Sequence, residues 1–158
     1  MALQIGDSAP SFSLYSSEKE LVHLADLKGR NILLLFFPLA FTSTCTKQMC
    51  TMRDELDVFN DMNVDVFGIS VDSLHSLAKY KETYQLNFTM LSDFNKETVK
   101  HYQVMYDEYS YGMKEVGKRA AFVIDGQGLI QYAEVLENAG NIPDDEAIKN
   151  AIRTLQPA

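Results

Sequence analysis

The chain has little of several things: two cysteines, three histidines and four prolines in 158 residues, and fewer basic than acidic side chains. Fourteen Lys and Arg against 22 Asp and Glu give a formal charge of −8. That balance speaks against nucleic acid as a partner, because phosphate binding rests on clustered cations that displace counterions. An anionic membrane surface is disfavoured on the same ground. The longest apolar run, Ile32 to Phe37 extended by Pro38, falls far short of a bilayer span, and no basic N-terminal segment leads into an apolar stretch. The expected location is cytoplasmic. Two cysteines are too few for a secreted disulfide scaffold. His23, His75 and His101 stand at no ligand spacing from Cys45 or Cys50, which speaks against zinc. No glycine-rich nucleotide loop is present, so no dinucleotide cofactor is expected. Neither Gly, at 8, nor Pro, at 4, is in excess, which excludes fibrous and disordered classes.

What is there suits an enzyme-sized globular chain. With 46% hydrophobic residues and no repeat, low-complexity tract or linker, one domain over residues 1–158 is expected, long enough to bury roughly 70% of its unfolded surface. Residues 11–16 and 21–24 read as short strands around the turn "SSEKE". "NILLLFF" (31–37) is a continuous apolar run ended by Pro38, the pattern of a strand buried on both faces. Residues 45–61 read as a helix whose Cys45, Met49, Met52, Leu56 and Phe59 form one face. Strand 64–70, a helix over 73–85 capped by Ser73 or Asp72, strand 88–93 and a brief helix over 96–101 follow. "DGQG" joins strands 119–124 and 129–135 as a hairpin, and Pro143 opens a last helix over 143–155. The expected class is α/β with a mixed sheet in a thioredoxin-like order. The tyrosine-rich segment 102–116 is either a loop packed over the sheet or an aromatic surface beside a pocket or subunit interface.

Cys45 carries the chemical interest. A thiol attacks as thiolate, and a helix N-terminus or a nearby cation favours that form. Cys45 heads a helix after a buried strand, where open α/β sheets place their sites. Thr42, three residues earlier, either holds a small polar oxygen species against the sulfur or caps the helix, a role open also to Ser43 or Thr44. Arg119 would reach the Cys45 edge if its strand runs antiparallel to 31–37, and could then donate to charge developing on a leaving oxygen. Otherwise it is a solvated strand-edge arginine. On an intact helix, Cys45 and Cys50 have Cα atoms about 8.6 Å apart, beyond the ~7 Å reach of a disulfide. Cys50 therefore either resolves an oxidised Cys45 after the first turns unwind, or fills space as a small hydrophobe. Peroxide reduction fits such a pair: a thiolate takes one oxygen, a second thiol condenses with the sulfenic acid, and a reductant restores both without metal, flavin or nicotinamide. A thiol-disulfide oxidoreductase would want its cysteines two residues apart. A redox sensor switched once by Cys45 oxidation is the alternative outside catalysis.

"IGDSAPSFSL", "FFPLAFTSTCTKQMC" with Pro38, Thr42 and Cys45 in the pattern P-x-x-x-T-x-x-C, and "GKRAAFVIDGQG" with Arg119 occur in order along essentially the whole chain. In these residues the sequence resembles a peroxiredoxin. The resemblance implies a thioredoxin-like fold with an N-terminal β extension and a thiol-dependent reduction of hydrogen peroxide and organic hydroperoxides. It implies that Cys45 is peroxidatic, with Pro38 shielding the thiolate and Thr42 and Arg119 binding and activating peroxide. The C-x-x-x-x-C spacing is similar to the bacterioferritin-comigratory branch, in which the second cysteine, here Cys50, resolves on the same helix. "FFPLAFT" and "AEVLENAGNIPD" resemble the one-cysteine alkyl hydroperoxide reductase E branch. The glutamate usual three residues after the peroxidatic cysteine is Gln48 here, expected to hydrogen-bond only within the first turn. Arg53 is either a supporting cation or a partner for Asp54 and Asp57. The implied partners are a hydroperoxide and a thioredoxin-like or low-molecular-weight thiol reductant, acting on a monomer or homodimer.

Overall fold

The computed structural model describes residues 3–155. Its centre is the apolar run found in the sequence. Asn31–Phe36 forms strand β3, buried along its whole length after β1 (Ser13–Ser16) and β2 (Leu21–His23). Leu33, Leu35 and Phe37 point to one face and Ile32, Leu34 and Phe36 to the other, so the alternation of a strand feeds two separate cores. Helix α1 (Ser43–Asp61), strand β4 (Val64–Ser70), helix α2 (Leu74–Tyr84) and strand β5 (Thr89–Ser92) follow. Next come the short helix α3 (Glu97–His101), the hairpin β6 (Arg119–Ile124) and β7 (Ile130–Leu136), and helix α4 (Asp145–Arg153). The sheet has seven strands in the order β2-β1-β5-β4-β3-β6-β7. β3 runs parallel to β4 and antiparallel to β6, with Phe36 opposite Ala120. The expected α/β class, mixed sheet and N-terminal β extension are borne out.

One core holds the buried faces of α1, α2 and α4, including Met49, Met52, Phe59, Leu77, Tyr80 and Ile148. Truncating one of these large side chains to Ala would cost about 2–5 kcal/mol. The opposite core is covered by the N-terminal segment, Val99 of α3 and the chain through Tyr102, Val104 and Val116. Most strand and helix limits fall within two residues of expectation, with three informative differences. Leu24 leaves the strand to start a 3-10 turn over Leu24–Leu27. Helix α1 begins at Ser43 rather than at Cys45, since small hydroxyl residues are well suited to a first turn. Helix α4 begins after Asp144, whose carboxylate accepts from the Ala147 amide, so this cap rather than Pro143 sets the start. Ser73 caps α2 in the same way, through the amide of Ser76.

Candidate active site

Parallel strands β3, β4 and β5 carry their loops to one end of the sheet, and antiparallel β6 starts there. The junction between β3 and α1, residues 38–42, therefore meets the first residue of β6. Cys45 is the third residue of α1. The peptide N–H groups of the first helical turn lack partners within the helix, and their aligned dipoles present positive potential to the sulfur. No acidic residue in that turn opposes this.

Arg119 reaches the same point from β6, and the antiparallel pairing with β3 that this requires is present. Its side chain is wholly buried. Nη2 donates to the Cys45 sulfur at 3.3 Å and to the Ala139 carbonyl at 3.0 Å, while Nη1 donates to Gln48 Oε1 at 2.7 Å. Gln48 thus differs from expectation: it bonds across to a residue 71 positions away rather than within its own turn. Being one turn on from Cys45, it faces the same strand edge, and its amide oxygen meets the guanidinium there. Among the described residues no ion pair involves Arg119. A fully buried guanidinium without a carboxylate partner is costly to bury. The sulfur of Cys45 lies 3.3 Å from its Nη2.

The 38–42 loop leads from β3 into the first turn of α1, where Cys45 lies. Pro38 is buried and Thr42 half-buried. Thr42 is the residue before the helix and its carbonyl accepts from the Thr46 amide, but its side chain makes no capping bond. Instead its hydroxyl donates to the Leu39 carbonyl at 2.9 Å, closing the loop on itself. Phe41 holds a left-handed φ of 68° and lays its ring edge-on against Tyr80, 4.9 Å between centroids. Tyr80 in turn donates to Thr46 Oγ1 at 3.1 Å, and burial pushes its phenol well above the ordinary range, so it remains a neutral donor.

Cys50 is a free thiol, half-buried, on the same unbroken helix as Cys45. The two are not brought together in this conformation. Arg53 takes the second of its expected roles: Nε donates to Asp54 at 2.9 Å, and Nη1 donates to the Tyr84 carbonyl at 2.7 Å. The tyrosine-rich segment divides. Tyr102 is core, its hydroxyl donating to the Pro10 carbonyl, whereas Tyr106 and Tyr109 stack on each other near the site and Tyr111 is fully exposed. Burial raises the phenols of both Tyr106 and Tyr109, and at Tyr106 the nearby Glu137 carboxylate adds to it.

Residues 5–133 match the AhpC/TSA family. The chain belongs to that family. It is 39% identical over 131 residues to a protein of Coxiella burnetii named putative peroxiredoxin bcp, covering 82% of this chain and 87% of that protein. Against peroxiredoxin Bcp of Escherichia coli it is 38% identical over 131 residues, with 82% and 84% covered. Among solved structures, peroxidoxin BcpB from Mycobacterium tuberculosis superposes with a TM-score of 0.81 at 26% identity, covering 96% of each chain. The peroxiredoxin relationship expected from the three sequence motifs is borne out. No helix among the described residues is long and apolar enough to cross a membrane.

Proposed function

We propose that the protein is a thiol-dependent peroxidase that reduces hydrogen peroxide and organic hydroperoxides at Cys45. The observation that carries the reading is the hydrogen bond from buried Arg119 to the Cys45 sulfur at the head of α1. Family membership and the Bcp relatives support it from a second direction. In the first step the Cys45 thiolate displaces the O–O bond of ROOH. The sulfur takes one oxygen as a sulfenic acid, and the second oxygen leaves as ROH after accepting a proton. Arg119 is placed to donate to the charge that develops on these oxygens. Pro38 and the Thr42 loop exclude water from the sulfur, and the Thr42 hydroxyl is the second polar group offered to the peroxide. Since Cys45 is 0% exposed, entry of even a small peroxide requires its neighbours to shift.

Cys50 is the resolving thiol in this reading. It attacks the sulfenic sulfur, releases water and leaves a Cys45–Cys50 disulfide, which a thioredoxin-like protein or a small thiol reduces in exchange for its own oxidation. The intact helix holds the two Cα atoms about 8.6 Å apart, so the first turns of α1 must open. Ser43, Thr44, Thr46 and Thr51 resist this weakly, being poor helix formers. Keeping the thiols reduced calls for a reducing compartment such as the cytoplasm.

The test is intact-mass measurement after one equivalent of hydrogen peroxide. The native chain is expected to lose two hydrogens, while Cys50→Ser gains one oxygen, stays open to sulfenic-acid trapping and overoxidises with excess peroxide. An unchanged catalytic cycle in Cys50→Ser with the same reductant would reduce Cys50 to a packing residue.

A further inference from the structure

We propose that Asp72, two residues past the end of β4, is a positioning residue for the peroxide site: its carboxylate pins the 38–42 loop through the Ala40 amide. The inference rests on the peroxidase reading above. Asp72 Oδ2 accepts from the Ala40 backbone N–H at 2.8 Å and from the Ser70 hydroxyl at 2.6 Å. The Asp72 backbone is itself held, since its amide donates to Ser70 Oγ at 3.2 Å and the Ser92 hydroxyl donates to its carbonyl at 2.6 Å. A rigid chain of contacts thus runs from the end of β5, through the end of β4, into the middle of the loop between β3 and α1. These are the ends of three adjacent parallel strands, fixed to each other by the sheet ladder.

The loop needs an external anchor. Its own restraint is the Thr42 hydroxyl on the Leu39 carbonyl, a contact inside the loop that does not tie it to the sheet. Phe41 stands in the left-handed region, which costs a residue with a Cβ about 1–2 kcal/mol unless its surroundings hold it there. External contacts hold the loop at and beside that strained residue: Asp72 on the Ala40 amide, and Tyr80 and Tyr84 against the Phe41 ring. Pro38 and Thr42 lie on either side of Ala40, so their placement relative to Cys45 depends on where Ala40 is fixed. Asp72 touches no reacting atom. It acts through loop geometry, to which rates are steep: a displacement of about 1 Å can cost about 10²-fold.

Asp72→Ala, Asp72→Asn and the native chain should be compared for two rates at one pH: the second-order reaction with hydrogen peroxide, and carbamidomethylation of Cys45 by iodoacetamide read by peptide mass. Alkylation needs a reachable thiolate but no peroxide geometry. Asp72→Ala is expected to lower the peroxide rate about 10- to 100-fold without lowering the alkylation rate. Asp72→Asn, whose amide oxygen still accepts from Ala40, should restore the peroxide rate to within about 3-fold of native. A peroxide rate in Asp72→Ala equal to native, a parallel fall in both rates, or an Asn variant as slow as Ala would each overturn the proposal. If Asp72→Ala does not fold, Ser70→Ala decides. That variant leaves the carboxylate in place but loosened, so a drop in peroxide rate alone supports the role and two native rates overturn it. A native chain that fails to react with peroxide would instead sink the peroxidase reading, and so the two failures are distinguishable.

Discussion

Cys45→Ser is expected to abolish peroxide consumption, lowering the rate by roughly 10⁴-fold or more, the scale of loss seen when a covalent nucleophile is removed. A serine hydroxyl in that position is not ionised near neutrality and cannot form a sulfenic acid. The fold should survive. Ser is close in size to Cys, the site is buried, and the hydroxyl can accept the hydrogen bond that Arg119 now gives to sulfur. A change in unfolding free energy of about 1 kcal/mol is expected, measured by denaturant titration beside the peroxidase assay. Retained turnover in a folded Cys45→Ser protein would move the reaction away from α1 altogether.

Arg119→Met separates the function of the guanidinium from its contribution to the fold. The variant removes a donor aimed at the sulfur and at the peroxide oxygens beside it, and loss of one such donor costs about 10²–10³-fold in rate. Stability should move far less. Burying Arg119 without a carboxylate partner carries a desolvation cost, which an apolar side chain of similar length relieves, while Gln48 and the Ala139 carbonyl lose their donor. The two effects oppose one another, and a net change within about 2 kcal/mol is expected. A large loss of stability with peroxide reactivity intact would make Arg119 a structural residue. Gln48 sharpens the contrast, because its neutral amide gives this guanidinium a hydrogen-bond acceptor without a counter-charge.

Where periodicity and local chemistry decide structure, the sequence was readable. The apolar run of β3 announced a strand buried on both faces, and the spacing of Cys45, Met49, Met52 and Phe59 announced the inward face of α1. The reach of Arg119 to Cys45 followed from the assumption that β6 runs antiparallel to β3, which is how they pair. Contacts set by where loops come to rest were not readable. Gln48 meets Arg119 across 71 residues and Asp72 meets Ala40 across 32, and neither separation has a local signature. In the sequence Asp72 reads only as a possible cap for α2, a role that Ser73 fills, which frees the aspartate to face the 38–42 loop. The tyrosines of 102–116 showed no periodicity because they serve three environments: core at Tyr102, the site's flank at Tyr106 and Tyr109, and solvent at Tyr111.

The most direct measurement is peptide mapping of the native chain seconds after one equivalent of hydrogen peroxide at neutral pH, with free thiols alkylated at the quench. Oxidation is expected at Cys45 before any other residue, as a sulfenic acid or as its disulfide with Cys50. Cys45 still free to alkylate, with the oxygen taken up by one of the seven methionines or by nothing, would contradict the central claim that its sulfur is the nucleophile.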